Sequence, residues 1–399
     1  MKRLEDQTPH AMLVQGDHDD RARQDFAFTF RNHVTSTMMP SIRTVYDHRA
    51  KKAYEKQTGR APQSPKEIRD AVSADSYFRF YASARRTSQE LIWASVTHAV
   101  ERELPDLIER AKPKLNALGS LTLNPAVKPP TYSTALDIHC MPGGYSSDYG
   151  PDDVAVGAIY DRGVHIYMSG LLGPNDDFMG LLVGGFVKRT QPDFAPKRIL
   201  DMGCSIGHST LPWAKMYPDA EIVAIDVSAP LLRYGHARAE AMGAKVHFVQ
   251  ADAEDTGFEA GSFDLVVSHI MLHETSGKAL PRIMAESRRL LAPGGLMIHA
   301  DQPSFKALDT FATFMQENET WYNNEPFWAN YRRTDLIEAA IAAGFPRENV
   351  WNDIAAADII KQSQNHGPNA EQDANLDTEK AEAAGFELLI ARKEGGMAS

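Results

Sequence analysis

Arg198-Ile-Leu-Asp-Met-Gly-Cys-Ser-Ile-Gly-His-Ser-Thr210 reads as a buried strand, a glycine-rich turn and the start of a helix. Gly203 and Gly207 carry no Cβ, so the chain can bend sharply there and a ligand can touch the backbone. Asp201 ends the strand, where it can accept a hydrogen bond from a ligand ammonium or orient the turn. Asp226 ends the next strand, nineteen residues beyond Gly207. A carboxylate at that distance can accept both hydroxyls of an adenosine ribose. Its structural alternative is a helix N-cap, which Ser228 could also fill. Asp252 ends a third strand in the same way and could hold an adenine amino group. A dinucleotide fingerprint would want G-x-G-x-x-G, and Ser205 stands at its second glycine, which disfavours a pyrophosphate against the backbone.

Around this turn, residues 191 to 395 alternate strands and helices. Strands are expected at 198–202, 221–225, 246–250, 263–268, 295–300, 350–354 and 386–392. Ser276 can cap a helix with Pro281 in its early part. The alternation predicts an α/β, doubly wound, mainly parallel sheet, with its ligand outside the C-terminal strand ends. The polar stretch 361–380 reads as a surface insertion. Residues 1–117 form a helical N-terminal domain, with one long helix over 25–54 that Pro40 kinks or divides, and a second over 75–100. Residues 118–190 connect the two. There, Asp161-Arg162-Gly163 between 155–160 and 164–168 predicts a β-hairpin, followed by a helix from Asp176 or Asp177 to Lys188.

Composition sets bounds. A chain of 399 residues fits two domains or one with a large appendage, and 43% hydrophobic with 24% charged residues is ordinary for a globular protein. The net charge of −11 argues against nucleic acid or an anionic membrane as partner. Cys140 and Cys204 make neither a disulfide framework nor a paired-cysteine zinc site, and no metal is expected. The polar start lacks a signal-peptide core, and no apolar run is long enough to span a membrane, which predicts a cytoplasmic protein.

Five stretches carry a family resemblance: Leu200-Asp-Met-Gly-Cys-Ser-Ile-Gly207, Ala224-Ile-Asp-Val-Ser228, Gln250-Ala-Asp-Ala253, Phe263-Asp-Leu-Val-Val-Ser-His269 and Leu290-Leu-Ala-Pro-Gly-Gly-Leu296. In this order and spacing they resemble class I S-adenosylmethionine-dependent methyltransferases, most of all the small-molecule branch related to quinone and sterol methyltransferases. The departure is Ser205, where many members carry a third glycine. The resemblance implies a seven-stranded Rossmann-like domain over 191–399. It implies S-adenosylmethionine as cofactor, with Asp201, Gly203 and Gly207 at the methionine part and Ser205 among the binding residues. Asp226 would take the ribose, Val227 and Asp252 with Ala253 the adenine, and Ser268 with His269 the boundary with substrate.

Methyl transfer needs a nucleophile in line with the methyl group and often a base. His269-Ile-Met-Leu-His273-Glu274 follows the fourth strand. His273 is the candidate base, or else a structural histidine; His269 is a second candidate and Glu274 a substrate contact. Asp301, after the fifth strand, could orient a substrate or a histidine. An aromatic insertion at 303–332 supplies Trp321, Tyr322 and Trp328 as substrate walls of a lid, or else forms ordinary helical core. Tyr145, Tyr149, Tyr160 and Tyr167 could close the pocket from the other side. The expected activity is methyl transfer to an O, N, S or C atom of a small molecule by a homodimer, its helical N-terminal region a lid or dimer interface. The alternatives are another reaction of the same cofactor, such as aminopropyl transfer or a pericyclic rearrangement, and a non-catalytic S-adenosylmethionine-binding regulator.

Overall fold

The computed structural model describes residues 6–355 and 386–395. Its sheet comprises β1 (Ser120–Thr122), β2 (Arg198–Met202), β3 (Glu221–Asp226), β4 (His247–Gln250), β5 (Phe263–His269), β6 (Leu291–Asp301), β7 (Val350–Ala355) and β8 (Phe386–Arg392). The spatial order is β1-β4-β3-β2-β5-β6-β8-β7. β1 to β6 pair in parallel, while β8 runs antiparallel to β6 and to β7. From β2 the chain steps outward through β3 and β4, then returns to lay β5 on the other side of β2. The strand order therefore reverses between β2 and β5, and a crevice opens at their C-terminal ends.

The strands are apolar on both faces because helices cover both. Ile199, Ile222, Ala224, Phe248, Leu265 and Val267 belong to one core layer, and Leu200, Met202, Val223, Ile225 and Val266 to the other. That alternation is the two-residue period of a strand. Seven strands match those expected. The eighth, β1, adds at the edge and is only three residues long, too short to leave a periodic signal. Glu240 holds its approach by accepting the Leu118 and Gly119 N–H groups at 2.9 and 2.8 Å.

The N-terminal region is helical, as expected, with different boundaries. One rod runs from His18 to Thr58, with π-helical turns at Val34–Met38 and Tyr46–Ala50. Asp17 and Asp20 form a reciprocal capping box at its start. Pro40 sits just after the first π-helical segment, and the rod continues through it rather than dividing. The second long helix, Ser76–Ala111, is capped by Asp75 and continues past Val100 through Pro105. Ser276 Oγ accepts the Ala279 N–H at the start of helix Ala279–Leu290. The stretch 361–380 lies outside the described residues.

The expected hairpin is absent; Ala155–Tyr167 is one helix. Its β-branched and aromatic residues suggested strands, but two glycines and one buried aspartate explain the helix. A Cβ on Gly157 would lie 2.3 Å from Tyr234 and one on Gly163 2.4 Å from Trp93, so each glycine admits an aromatic side chain against the helix. Asp161 faces the interior. It accepts from Gln7 Nε2 (2.8 Å) and the Tyr234 hydroxyl (2.7 Å), and lies 3.0 Å from His208 Nε2, 3.1 Å from His10 Nε2 and 3.4 Å from Arg238 Nε. Burial opposes its charge, but Arg238, His10 and His208 outweigh burial and hold the carboxyl well below the usual range. The following helix, Phe178–Thr190, begins after Asp177 as expected.

The aromatic insertion is split into short helices, Thr310–Glu317, Glu319–Tyr322 and Trp328–Tyr331. Phe314 packs on Phe78 (5.9 Å between centroids) and Phe311 on Tyr46 (5.1 Å), so this segment docks on the N-terminal helices. Arg85–Glu319 (2.5 Å) and Arg69–Glu317 (3.4 Å) tie the same surfaces by charge. The replacement Gly163→Ala should overpack the Trp93 contact and lower stability by about 1–3 kcal/mol. Denaturant unfolding reads this directly, and an unchanged midpoint would contradict the close helix–Trp93 approach.

Candidate functional site

A cavity of about 330 Å³ lies over the C-terminal ends of β2, β3 and β5. Its floor is the glycine turn; its walls come from the 130–179 region, the N-terminal helix residue Trp93 and the aromatic insertion.

At the turn, Gly203, Ser205 and Gly207 have φ of 68°, 50° and 83°. Left-handed backbone suits glycine and costs a serine about 1 kcal/mol. The Ser205 N–H donates to Asp226 Oδ2 at 2.9 Å, which helps hold this conformation. The Ser228 N–H donates to the other Asp226 oxygen, also at 2.9 Å. Burial pushes the Asp226 carboxyl up, because only backbone donors and no cation are paired with it. Asp252 is likewise raised by burial and accepts the Glu254 N–H at 2.9 Å. Asp201 accepts the Thr210 hydroxyl at 2.6 Å and lies 3.2 Å from His269 Nδ1, which braces the turn against β5.

Asp201, Gly203, Ser205, Asp226, Val227, Asp252 and Ala253 line the cavity together. Two residues expected there do not. Gly207 faces Leu211 and Phe248, within 3.1 Å of where its Cβ would stand, and shapes the turn from behind. Ser268 is buried with its hydroxyl 2.7 Å from His299 Nδ1. Burial depresses His299 to about 3, so this imidazole is a neutral core group. The side-chain alternation of β5 sends Ser268 inward and leaves His269 at the cavity, where its Nε2 has no protein partner.

The opposite end of the cavity is polar and aromatic. His273 is buried, with Nδ1 2.6 Å from Asp301 Oδ1. Burial alone would discharge the imidazole, but Asp301 outweighs it and raises the pKa to about 9. Asp301 also accepts the His273 N–H and the Gln302 N–H, so it orients the histidine rather than a ligand. Glu274 Oε1 accepts the Tyr145 hydroxyl at 3.1 Å and lies 2.8 Å from His139 Nε2. His139 Nδ1 lies 3.2 Å from Glu325 Oε1. Burial works against a charge on His139, yet Glu274 and Glu325 raise it well above the ordinary value. The same imidazole draws Glu274 down against its own burial. Tyr145, Tyr160, Tyr167, Trp93 and Trp328 complete the wall, whereas Tyr149 is 85% exposed on the surface.

Trp321 and Tyr322 do not reach the cavity. Trp321 is 51% exposed and stacks on Arg69 at 3.7 Å, because its short helix turns that side toward the N-terminal helices. Glu319 and Glu325 point inward instead. The sequence leaves His139-Cys140 ambiguous between a pocket and a structural role, and does not mark Glu325. The available signals were weak: a histidine in the Pro/Gly/Tyr-rich connection, and a polar Asn323-Asn324-Glu325 run inside an aromatic segment. His139 and Cys140 both have positive φ (56° and 59°), backbone strain of the kind that collects at functional sites. The His139 carbonyl is fixed by Trp93 Nε1 (2.7 Å) and Gln89 Nε2 (3.1 Å).

Residues 199–295 match the methyltransferase-domain family. Demethylmenaquinone methyltransferase of Thermus thermophilus is 36% identical over 109 residues, covering 27% of this chain and 49% of that protein. Malonyl-acyl-carrier-protein O-methyltransferase of Legionella pneumophila is 32% identical over 118 residues, 29% of this chain and 40% of that protein. The solved structure of phosphoethanolamine N-methyltransferase 2 of Haemonchus contortus, in complex with S-adenosylmethionine, covers 53% of this chain and 51% of its own at 17% identity, with a TM-score of 0.37. The chain thus spans about half the length, or less, of the curated relatives it matches. Residues 199–295 therefore carry a methyltransferase domain, similar in sequence to S-adenosylmethionine-dependent methyltransferases. No helix among the described residues is long and apolar enough to cross a membrane.

The replacement Asp301→Asn should remove the charge that holds His273, and its imidazole should titrate well below the present value of about 9. Imidazole ¹H–¹⁵N NMR across pH measures this; an unshifted titration would mean that another group holds the proton.

Proposed function

We propose that the chain transfers a methyl group from S-adenosylmethionine to a nucleophilic atom of a small molecule. The observation that carries this is the pair of half-buried carboxylates, Asp226 and Asp252, at adjacent strand ends beside a left-handed glycine turn. Both are raised by burial, and Asp226 is held only by backbone N–H groups. Such acceptors suit a ligand that brings hydroxyl and amino donors, as an adenosine does. Asp226 would hold the ribose hydroxyls, Asp252 with Ala253 and Val227 the adenine, and the Gly203–Ser205 backbone the methionine part. The cofactor supplies an electrophilic methyl group on a sulfonium.

The remaining work falls to the chain. Asp201 and His269 keep the turn in place below the cavity. The aromatic walls exclude water from the reacting atoms and hold the acceptor against the donor. His273 keeps its proton through neutral pH, so it serves as a hydrogen-bond donor that positions the acceptor and becomes a base only above about pH 9. The N-terminal helices and the aromatic insertion act as the roof.

Calorimetry with S-adenosylhomocysteine tests the donor site. The Asp226→Ala variant should bind it at least about tenfold more weakly, since charged hydrogen bonds are worth about 1.5–3 kcal/mol each. Failure of the wild-type protein to bind would overturn the proposal. Formation of S-adenosylhomocysteine during turnover separates methyl transfer from other uses of the cofactor.

The pH profile tests His273. Its folded pKa is raised from 6.5 to about 9. The stabilisation from the Asp301 pair is therefore complete below about pH 6.5 and fades as pH rises through about 9. Turnover should hold through neutral pH and decline above about 9, whereas a rise centred near 6.5 would identify a base.

A further inference from the structure

The acceptor end of the cavity has a surplus of negative charge that the protein itself leaves unmatched. No residue lining the cavity is a lysine or arginine among those described. Glu319 is paired with Arg85, which lies outside the cavity lining, and Asp301 with His273. His139 stands between two carboxylates, Glu274 and Glu325, and can match only one of them. Three carboxylates (Asp301, Glu274 and Glu325) thus face two imidazoles; the buried Arg332 adds a more distant positive field at Asp301 and Glu325 but spends its hydrogen bonds on the Pro303 carbonyl and Gln316, so one carboxylate is left without a cation in contact.

The hydrogen bonding shows where it is missing. Glu274 Oε1 takes the Tyr145 hydroxyl and His139, and Glu325 Oε1 takes His139 and the Asn323 amide. The second oxygen of each, Oε2, is buried with no partner in the protein. The Glu325 side chain is only 3% exposed. An unpaired buried carboxylate oxygen is costly unless a ligand supplies the donor. Beside these oxygens stand Tyr145 and Tyr160, edge to face at 5.8 Å, and Tyr167, 5.7 Å from the His139 ring and already carrying the Arg31 guanidinium on one face at 4.1 Å. Aromatic faces beside carboxylates favour a cation, and the absence of lysine and arginine disfavours a carboxylate or phosphate acceptor.

We propose that the methyl acceptor is an amine: a small molecule with a basic nitrogen held by Glu274 and Glu325, and an apolar or aromatic body lying along Val164, Met168 and Leu172. This rests on the methyl-transfer function proposed above. In the reaction the bound ammonium passes one proton to the free Oε2 of Glu325. The freed nitrogen lone pair forms the new N–C bond to the methyl carbon as the C–S bond breaks, its electron pair returning to sulfur. The product is an N-methylated amine.

The test uses three probes alike in body and different in head group: 2-phenylethylamine, 2-phenylethanol and phenylacetate. Their binding to the full-length protein is measured by calorimetry with saturating S-adenosylhomocysteine. The amine should bind about tenfold or more tightly than the alcohol, and phenylacetate should bind least. In Glu325→Gln the amine advantage should fall about tenfold, while S-adenosylhomocysteine binding stays unchanged. Equal binding of the three probes, tighter binding of the alcohol or the acid, or binding of none overturns the amine assignment. Should S-adenosylhomocysteine itself fail to bind, the donor site is at fault instead, and the head-group order in the cofactor-free protein still decides the acceptor question.

Discussion

A single buried carboxylate, Asp161, is where the separate parts of this chain meet. Its partners come from the N-terminal segment (Gln7, His10), the end of the glycine turn (His208) and the helix after β3 (Tyr234, Arg238). A charge buried this deeply is tolerated only when donors surround it, and losing a partner leaves the charge uncompensated. The arrangement therefore holds as a set. It fixes Ala155–Tyr167 against the sheet domain and brings the neighbouring Tyr160 to the cavity, 5.8 Å from the His208 ring. The wall of the proposed acceptor site is positioned by an ion cluster whose central carboxylate does not itself line the cavity.

What the sequence made legible follows from distance along the chain. The glycine turn, Asp226 and Asp252 are read from strand ends and fixed spacings, because a parallel α/β unit writes its ligand contacts at the same place in each repeat of strand and helix. The seven longer strands were legible for the same reason. The acceptor end is different. His139, Glu274 and Glu325 come from three segments, and nothing local in any of them marks the row they form. Asp301 and His273 were each noticed, but the sign of the effect, a histidine held charged, depends on a contact across 28 residues.

The misread elements have particular causes. Ala155–Tyr167 carries residues that favour strands, and an Asp-Arg-Gly that resembles a turn, yet both glycines are there to admit Tyr234 and Trp93. Ser268 was placed at the ligand by its position at a strand end; the two-residue alternation puts it on the buried side and His269 on the open one. Trp321 and Tyr322 lie in an aromatic segment of which one side packs on the N-terminal helices and the other closes the cavity. Composition alone does not say which side each residue takes.

That segment has an evolutionary consequence. Phe311, Phe314, Glu317 and Glu319 anchor it to helices that lie more than two hundred residues earlier in the chain, while the donor-binding turn belongs to the sheet. The two halves of the cavity are thus governed by different stretches of sequence. On the function proposed above, drift in the helical third would reshape which compounds are accepted without disturbing the glycine turn and the strand-end carboxylates, so chemical selectivity could diversify while the reaction stayed the same.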